Sequence, residues 1–203
     1  MQVQRRPEIQ NGWVRRLACC GLVLITLCHL PGCATLSREQ CERGDWYGIG
    51  MGDGQEGVSN NRLADHVRAC SKYGLQPDDH QYKLGYDRGL AEYCRIDNAF
   101  ATGLRGDRYQ GVCPPTIDPL FERCNQAAYT VYQIRQRLDA LEDERDRYEY
   151  RLRNSNLSQD DRYQLHRELR NLDRQYYWLR DELFFSERSL DRLMDEVRSR
   201  PLP

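Results

Sequence analysis

The sequence predicts an all-α protein in which a small, Gly-rich helical domain held by disulfide bonds precedes a long antiparallel coiled-coil hairpin. Three observations support this fold class. A helical motif with two glycines occurs twice in the first half of the chain, and four cysteines enclose that repeat. Heptads of apolar residues fill the second half, which contains no glycine or proline between residues 120 and 200. We assign residues 41–117 to the helical domain and residues 118–200 to the hairpin.

The N-terminus has the features of a secretory signal peptide. Four arginines lie within residues 1–16, and the apolar run 17–30 is shorter than the about 20 residues of a spanning helix. The run ends in a segment that resembles the lipobox of bacterial lipoproteins, Leu30-Pro31-Gly32-Cys33. The alternatives are a membrane-anchored protein with an uncleaved helix and a cytosolic protein with an apolar start. We assign residues 1–32 to a lipoprotein signal peptide and residues 33–40 to a lipidated tether.

The lipobox resemblance implies that Cys33 becomes the first mature residue and carries a diacylglyceryl group and an N-linked acyl chain such as palmitate. Several acyl chains on one residue anchor a protein firmly, whereas a single chain binds a membrane only marginally. Ala34, and not Asp, follows Cys33, which in lipoproteins of this kind favours sorting to the outer membrane. We therefore expect a lipid-anchored outer-membrane protein that faces the periplasm.

Besides Cys33, five cysteines remain in the exported chain, and the periplasm favours their oxidation. Four of them are separated by 29, 24 and 19 residues, namely Cys41, Cys70, Cys94 and Cys113. Three connectivities are open, of which we favour pairing between neighbours. Cys124 is then either a buried thiol or the site of an intermolecular bridge. His66 could share a helix face with Cys70, but no close pair of ligands accompanies them, so we predict no metal site.

The glycine motif predicts helices in close contact. Tyr47-x-x-Gly50-x-x-x-Gly54 recurs 35 residues later as Tyr82-x-x-Gly85-x-x-x-Gly89, and a looser copy is Phe100-x-x-Gly103-x-x-Gly106. The aromatic residue and both glycines of each copy fall on one helix face. Glycine inside a helix costs about 1 kcal/mol relative to alanine, so its repetition indicates a close approach of backbones. We expect four short helices between residues 41 and 112.

Two heptad tracks predict the hairpin. The first contains Ala127, Val131, Ile134, Leu138, Leu141, Arg145, Tyr148 and Leu152, and the second contains Leu165, Leu169, Leu172, Tyr176, Leu179, Leu183, Ser186, Leu190, Leu193 and Val197. Ser158 and Asp161 form a capping box after a short loop, which favours antiparallel helices. The longer second helix is expected to reach back over the first domain. Three aromatics beside its seam either cover that domain or form a face for a partner or self-association, namely Trp178, Phe184 and Phe185.

Composition and motifs give no sign of catalysis. The net charge of −1 excludes a nucleic-acid binder that depends on net positive charge. No serine or cysteine motif places a nucleophile beside a base, so we predict no catalytic residue, no cofactor and no enzyme. A cell-wall hydrolase with two distant carboxylates is the open alternative. A candidate ligand or packing face, suited to a glycan or peptide, consists of Trp46, Tyr47, Asp53, Tyr82 and Asp87.

Two ordered motifs occur in the first domain, namely Cys41-x3-Asp45-Trp46-Tyr47-x-Ile49-Gly50-x2-Asp53-Gly54 and Tyr82-x2-Gly85-x3-Gly89-Leu90-x2-Tyr93-Cys94. Together they resemble a domain-of-unknown-function family of proteobacterial lipoproteins. The resemblance implies an envelope lipoprotein with a coiled-coil tail and implies no activity. We expect a non-enzymatic structural or protein-interaction role, with a protein partner or self-association through the coiled coil. A glycan- or peptide-binding module and a cell-wall-active enzyme are the alternatives.

Overall fold

The computed structural model describes residues 35–154 and 156–199, and the predicted signal peptide and Cys33 lie outside this part. The described residues contain no β-strand, which confirms the all-α class. None of these helices is both long and apolar enough to cross a membrane. In chain order the helices are α1 (Arg38–Arg43), α2 (Trp46–Gln55), α3 (Arg62–Ser71), α4 (Asp79–Tyr93), α5 (Ile96–Arg105), α6 (Asp118–Asn154) and α7 (Gln159–Ser199).

The folded part begins earlier than predicted. Leu36 is buried in a cluster with Trp46 and Tyr82. Ser37 caps α1, since its hydroxyl accepts a hydrogen bond from the Gln40 amide at 3.2 Å and its own amide donates to the Gln40 side chain at 2.8 Å. Residues 36–40 therefore belong to the folded domain and not to the predicted tether, because their apolar and capping side chains find local partners.

The glycine repeat forms a reciprocal contact between α2 and α4. A Cβ atom on the first glycine of either copy would lie 2.0 Å from a tyrosine carbonyl oxygen of the other, as Gly50 meets Tyr82 and Gly85 meets Tyr47. The second glycines meet carbonyl oxygens one turn further along, Gly54 at Tyr86 and Gly89 at Met51, each at 2.3 Å. Both series of contacts run in the same direction along the chain, so the two helices are parallel. The predicted close approach of backbones is confirmed.

Both disulfide bonds join neighbouring cysteines. Cys41 of α1 is bonded to Cys70 of α3, and Cys94 at the end of α4 is bonded to Cys113. The Cα atoms are 5.6 Å apart in each pair. This is the connectivity favoured from the sequence. Cys124 is a free, fully buried thiol, so the structure agrees with the first of the two roles considered for it.

The start of α6 and the end of α7 pack onto the Gly-rich helices in one core. Phe121 and Val131 of α6 are fully buried in a cluster that includes Phe100 of α5. From α7 the same cluster receives Leu190, Leu193 and Val197. The second hairpin helix therefore reaches back over the first domain, as its length predicts. We call helices α1–α5 with their connections the head, and α6 with α7 the arm.

The arm is an antiparallel pair of helices joined by a heptad seam. All predicted seam positions in α6 and α7 whose side chains are described are buried or half-buried. Arg123 pairs with Glu196 at 3.2 Å, and Arg135 pairs with Glu187 at 2.7 Å, which fixes the antiparallel register. The predicted cap is present, because the Ser158 hydroxyl accepts a hydrogen bond from the Asp161 amide at 3.1 Å.

Candidate functional site

A buried hydrogen-bond network links the start of the folded chain to α2, α3 and α4. His66 of α3 is 2% exposed, and its Nε2 lies 2.8 Å from Oδ2 of Asp53 in α2. Its Nδ1 lies 2.8 Å from the hydroxyl oxygen of Thr35. The hydroxyl of Tyr82 in α4 donates to the same Asp53 oxygen at 2.7 Å. One carboxylate therefore joins two α-helices and, through the imidazole, the N-terminal segment.

One tautomer of His66 satisfies every hydrogen bond of the network. In this tautomer Nε2–H of His66 and the Tyr82 hydroxyl donate to Asp53, while the Thr35 hydroxyl donates to Nδ1. The order hydroxyl, imidazole, carboxylate resembles the donor sequence of a nucleophile activated by a base. However, both ring nitrogens already have protein partners and Tyr82 shares the carboxylate, so the arrangement is better suited to holding Thr35 in place.

Two pKa shifts reflect this network. Burial of Asp53 opposes its ionisation, but hydrogen bonds from His66 and Tyr82 and the charge of Arg62 outweigh it, so the pKa of Asp53 lies below its usual value. Burial, and then the hydrogen bond to the Asp53 carboxylate, raise the pKa of Tyr82. Asp53 is therefore ionised and Tyr82 protonated at neutral pH, which keeps the donors and the acceptor matched.

An open pocket of about 450 Å³ lies beside the network. The pocket is lined by Thr35, Asp53 and His66 of the network and by four charged side chains, namely Arg43, Asp45, Glu56 and Arg62. Asp45 also caps α2 by accepting a hydrogen bond from the Gly48 amide at 2.9 Å. Polar side chains and charges of both signs therefore line the pocket. Thr35, at the N-terminal end of the described chain, lies among them.

The structure does not gather the five predicted face residues into one surface. Trp46 and Tyr82 are buried in the head core, whereas Tyr47 and Asp87 are exposed and do not line the pocket. Asp53 alone of the five lines it. The helix faces that carry the glycine repeat mainly pack α2 against α4, because the glycines bring the two backbones together.

The sequence patterns do not reveal the parts played by Thr35 and His66. His66 was considered only as a partner for Cys70 in a metal site that was not predicted, and Cys70 is in a disulfide bond. No group of three or more His, Cys, Asp or Glu with metal-binding geometry occurs in the described part of the chain. One available signal was the position of His66, four residues before Cys70, on the face of α3 that the disulfide turns inward.

A second candidate site is an exposed aromatic face on α7. We define the aromatic face as four side chains exposed by 51–68%, namely Tyr177, Trp178, Phe184 and Phe185. Of the two alternatives for Trp178, Phe184 and Phe185, covering the head is excluded, because the three rings are exposed and α7 covers the head with Leu190, Leu193 and Val197. The four aromatics occupy two adjacent outward heptad positions, which charged residues usually occupy in a solvated coiled coil.

A groove between the two arm helices adjoins the aromatic face. It has a volume of about 440 Å³, and its walls are Arg137, Ala140, Leu141, Gln175, Trp178 and Leu179. The guanidinium of Arg188 lies over the Phe184 ring, 4.9 Å from its centre. Apolar rings, a shallow groove and an arginine are the components that dominate binding energy in protein–protein interfaces.

Residues 45–130 match the family described as "Protein of unknown function (DUF2799)". A domain of unknown function is therefore present, as the resemblance of the motifs implied. The match continues past the predicted domain boundary at residue 117 into α6, whose first turns pack in the head core. No curated protein and no solved structure is significantly similar to the chain.

Proposed function

We propose that this chain is an outer-membrane lipoprotein, anchored through Cys33 and facing the periplasm, which acts as a non-enzymatic protein-interaction module. The head connects the anchor to the arm, and the arm presents the aromatic face to a second protein. The observation that carries the proposal is the aromatic face itself, whose four large side chains belong to none of the buried clusters and of which Trp178 also lines the groove.

Burial of the apolar rings of the aromatic face would supply binding energy. Burial of a large apolar side chain contributes about 1.5–3 kcal/mol, so covering several of these rings would provide a large part of a specific binding energy. Contiguous exposed apolar patches on soluble domains mark interaction sites more often than isolated exposed residues do. A protein partner is favoured over a nucleic acid, because the arm offers aromatic rings between charges of both signs.

The geometry gives less support to the two alternatives. A glycan site needs aromatic rings whose faces are open to the sugar, but Trp46 and Tyr82 are buried in the head. A hydrolase with two carboxylates needs one that stays protonated as general acid, but the pKa of Asp53 is lowered and Asp45 is engaged as the cap of α2. Neither alternative accounts for the aromatic face on the arm.

The aromatic face can be tested by photo-crosslinking in intact cells. Benzoylphenylalanine in place of Trp178 or Phe185 should give covalent adducts with another envelope protein. The matched control has the same substitution at Tyr163, whose side chain is 62% exposed on the same helix, about four turns before the aromatic face. Adducts confined to a second copy of this chain would identify self-association as the arm's function. Equal or absent adducts at all three positions would contradict the proposal.

The anchor is tested by intact mass spectrometry of protein purified from its native membrane. We expect the chain to begin at Cys33 and to carry the mass of a diacylglyceryl group and one further acyl chain. A Cys33→Ser variant should lose this mass and leave the membrane fraction. An unprocessed N-terminus would contradict the lipoprotein assignment.

A further inference from the structure

The first residues of the described chain are fixed to the head by a hydrogen bond, by burial and by a disulfide bond. The Thr35 hydroxyl is bonded to buried His66, and the next residue, Leu36, is buried in the head core. Ser37 then caps α1, and Cys41 is linked covalently to α3. No flexible segment therefore lies between Thr35 and the body of the head.

The covalent distance from the proposed lipid to this point is very short. Only Ala34 separates Cys33 from Thr35 in the sequence. Two residues span at most about 7 Å when fully extended. The polar layer on each side of a bilayer is about 5–8 Å thick, from the difference between the whole membrane and its hydrocarbon core. Thr35 therefore cannot rise far above the headgroups while Cys33 carries acyl chains.

From this geometry, and on the basis of the proposed lipid at Cys33, we infer that the pocket side of the head is seated on the lipid headgroup layer. The binding partner of this surface is the bilayer itself. Because Thr35 lines the pocket, the pocket lies on the side of the head that meets the lipid headgroups. The short chain between the lipid and Thr35 then holds the head in one orientation on the membrane, so contact with the bilayer is part of the protein's architecture.

The charges around the pocket indicate that the tether, and not electrostatic attraction, determines this seating. Arg43 and Arg62 can meet lipid phosphates, but Asp45, Asp53 and Glu56 line the same pocket. Arg43 also pairs with Glu39 at 3.2 Å. We therefore expect the contact to depend weakly on salt and strongly on the length of chain between the lipid and Thr35.

Lipid photo-crosslinking can test the orientation with a matched pair of sites. Arg43, which lines the pocket, and Arg88 on α4, which does not, have the same side-chain exposure of 64%, and each pairs with a glutamate four residues away. The full lipidated protein, with benzoylphenylalanine at one of these positions, is reconstituted in vesicles of phosphatidylethanolamine and phosphatidylglycerol. Phospholipid adducts at position 43 should exceed those at position 88 several-fold.

A second variant tests the tether directly. A flexible Gly/Ser insertion of about 16 residues between Ala34 and Thr35 has an average span of about 20–24 Å, so it should release the head from the headgroups. The adducts at position 43 should then fall several-fold, to the level at position 88. Raised salt should leave the adducts of the uninserted protein nearly unchanged.

Two results would overturn this inference. One is equal lipid adducts at positions 43 and 88 in the uninserted protein, and the other is no change after the insertion. The mass of each sample separates this failure from failure of the proposed function. A triacylated chain without the difference contradicts only the seating, whereas a chain without lipid at Cys33 contradicts the lipoprotein proposal.

Discussion

The head and the arm are both helical, but they hold their helices together in different ways. In the head, glycines of α2 and α4 bring backbone against backbone, and two disulfide bonds close the chain around them. In the arm, a seam of leucine, valine and isoleucine side chains separates the two helices. The head therefore depends on the absence of side chains at a few positions, whereas the arm depends on their presence.

This difference determines which positions of each region tolerate substitution. A backbone contact has no free volume, so any added atom must move a helix. A heptad seam uses only part of each helix surface, and the remaining positions are open to substitution or to a binding face. The arm can carry the aromatic face because its stability does not need those positions.

The largest expected effect is the loss of a disulfide bond in the head. Replacing Cys41 and Cys70 with alanine should lower the free energy of unfolding by about 3–4 kcal/mol, because a bridge between residues 29 apart restricts the unfolded chain. Urea unfolding, followed by circular dichroism, measures it. Cys124→Ala is the control, since it removes a buried cysteine that has no bridge. A double variant as stable as this control would show that the bridge contributes nothing.

A single added methyl group should break the backbone contact of the head. Gly50→Ala would place Cβ 2.0 Å from the Tyr82 carbonyl oxygen, so we expect a loss of about 2–3 kcal/mol in thermal or urea unfolding. Gly52→Ala, two residues away in the same helix, meets nothing within 4 Å. It should instead stabilise by up to about 1 kcal/mol, because alanine is the better helix former. Similar effects of both substitutions would refute the packing role of the glycine repeat.

In the arm, two neighbouring residues of α7 should differ in their effect on stability, because one is buried in the seam and the other is exposed. Leu179 is buried against Ile134 and Leu138, so Leu179→Ala should cost about 2–3 kcal/mol. Trp178→Ala removes an exposed ring and should change the free energy of unfolding by less than about 0.5 kcal/mol. The same Trp178→Ala variant should lose partner adducts from position 185. A large loss of stability from Trp178→Ala would assign the aromatic face to folding instead of binding.

The smallest effect concerns acid stability of the head. The pKa of Asp53 is lowered in the folded protein, so its contribution is present above the unfolded carboxyl pKa of about 4 and is lost as the pH falls through the folded value. Asp53→Asn should cost about 1–2 kcal/mol at pH 7, since a hydrogen-bonded charge is removed. The difference from the unmodified protein should shrink toward pH 2. A pH-independent difference would show that the carboxylate charge has no part in the network.

The regular parts of the fold could be predicted from sequence, because their patterns are local. The spacing of Gly50, Gly54, Gly85 and Gly89 predicts a close helix contact, and the heptads predict the seam of the arm. The parallel direction of α2 and α4 could not be predicted, because a glycine face packs in either direction. The place of the three arm aromatics was also undecided, because a helix pattern does not specify which outward face another element covers.

The polar network shows the same limit at the site. His66, Asp53 and Tyr82 come from three helices, and no spacing in the sequence relates them to one another or to Thr35. Of the predicted face residues, only Asp53 was placed beside a pocket, because burial of Trp46 and Tyr82 is decided by the packing of α2 against α4.

The sequence by itself determined the helical class and the seam of the arm, because each depends on residues close together in the chain. Tertiary packing alone decided that α7 covers the head with aliphatic side chains, that its aromatics stay exposed, and that Thr35 is bonded to His66. These features depend on which helices meet in space. Long-range contacts of this kind are specified by the combined burial of many side chains, and no local pattern contains that information.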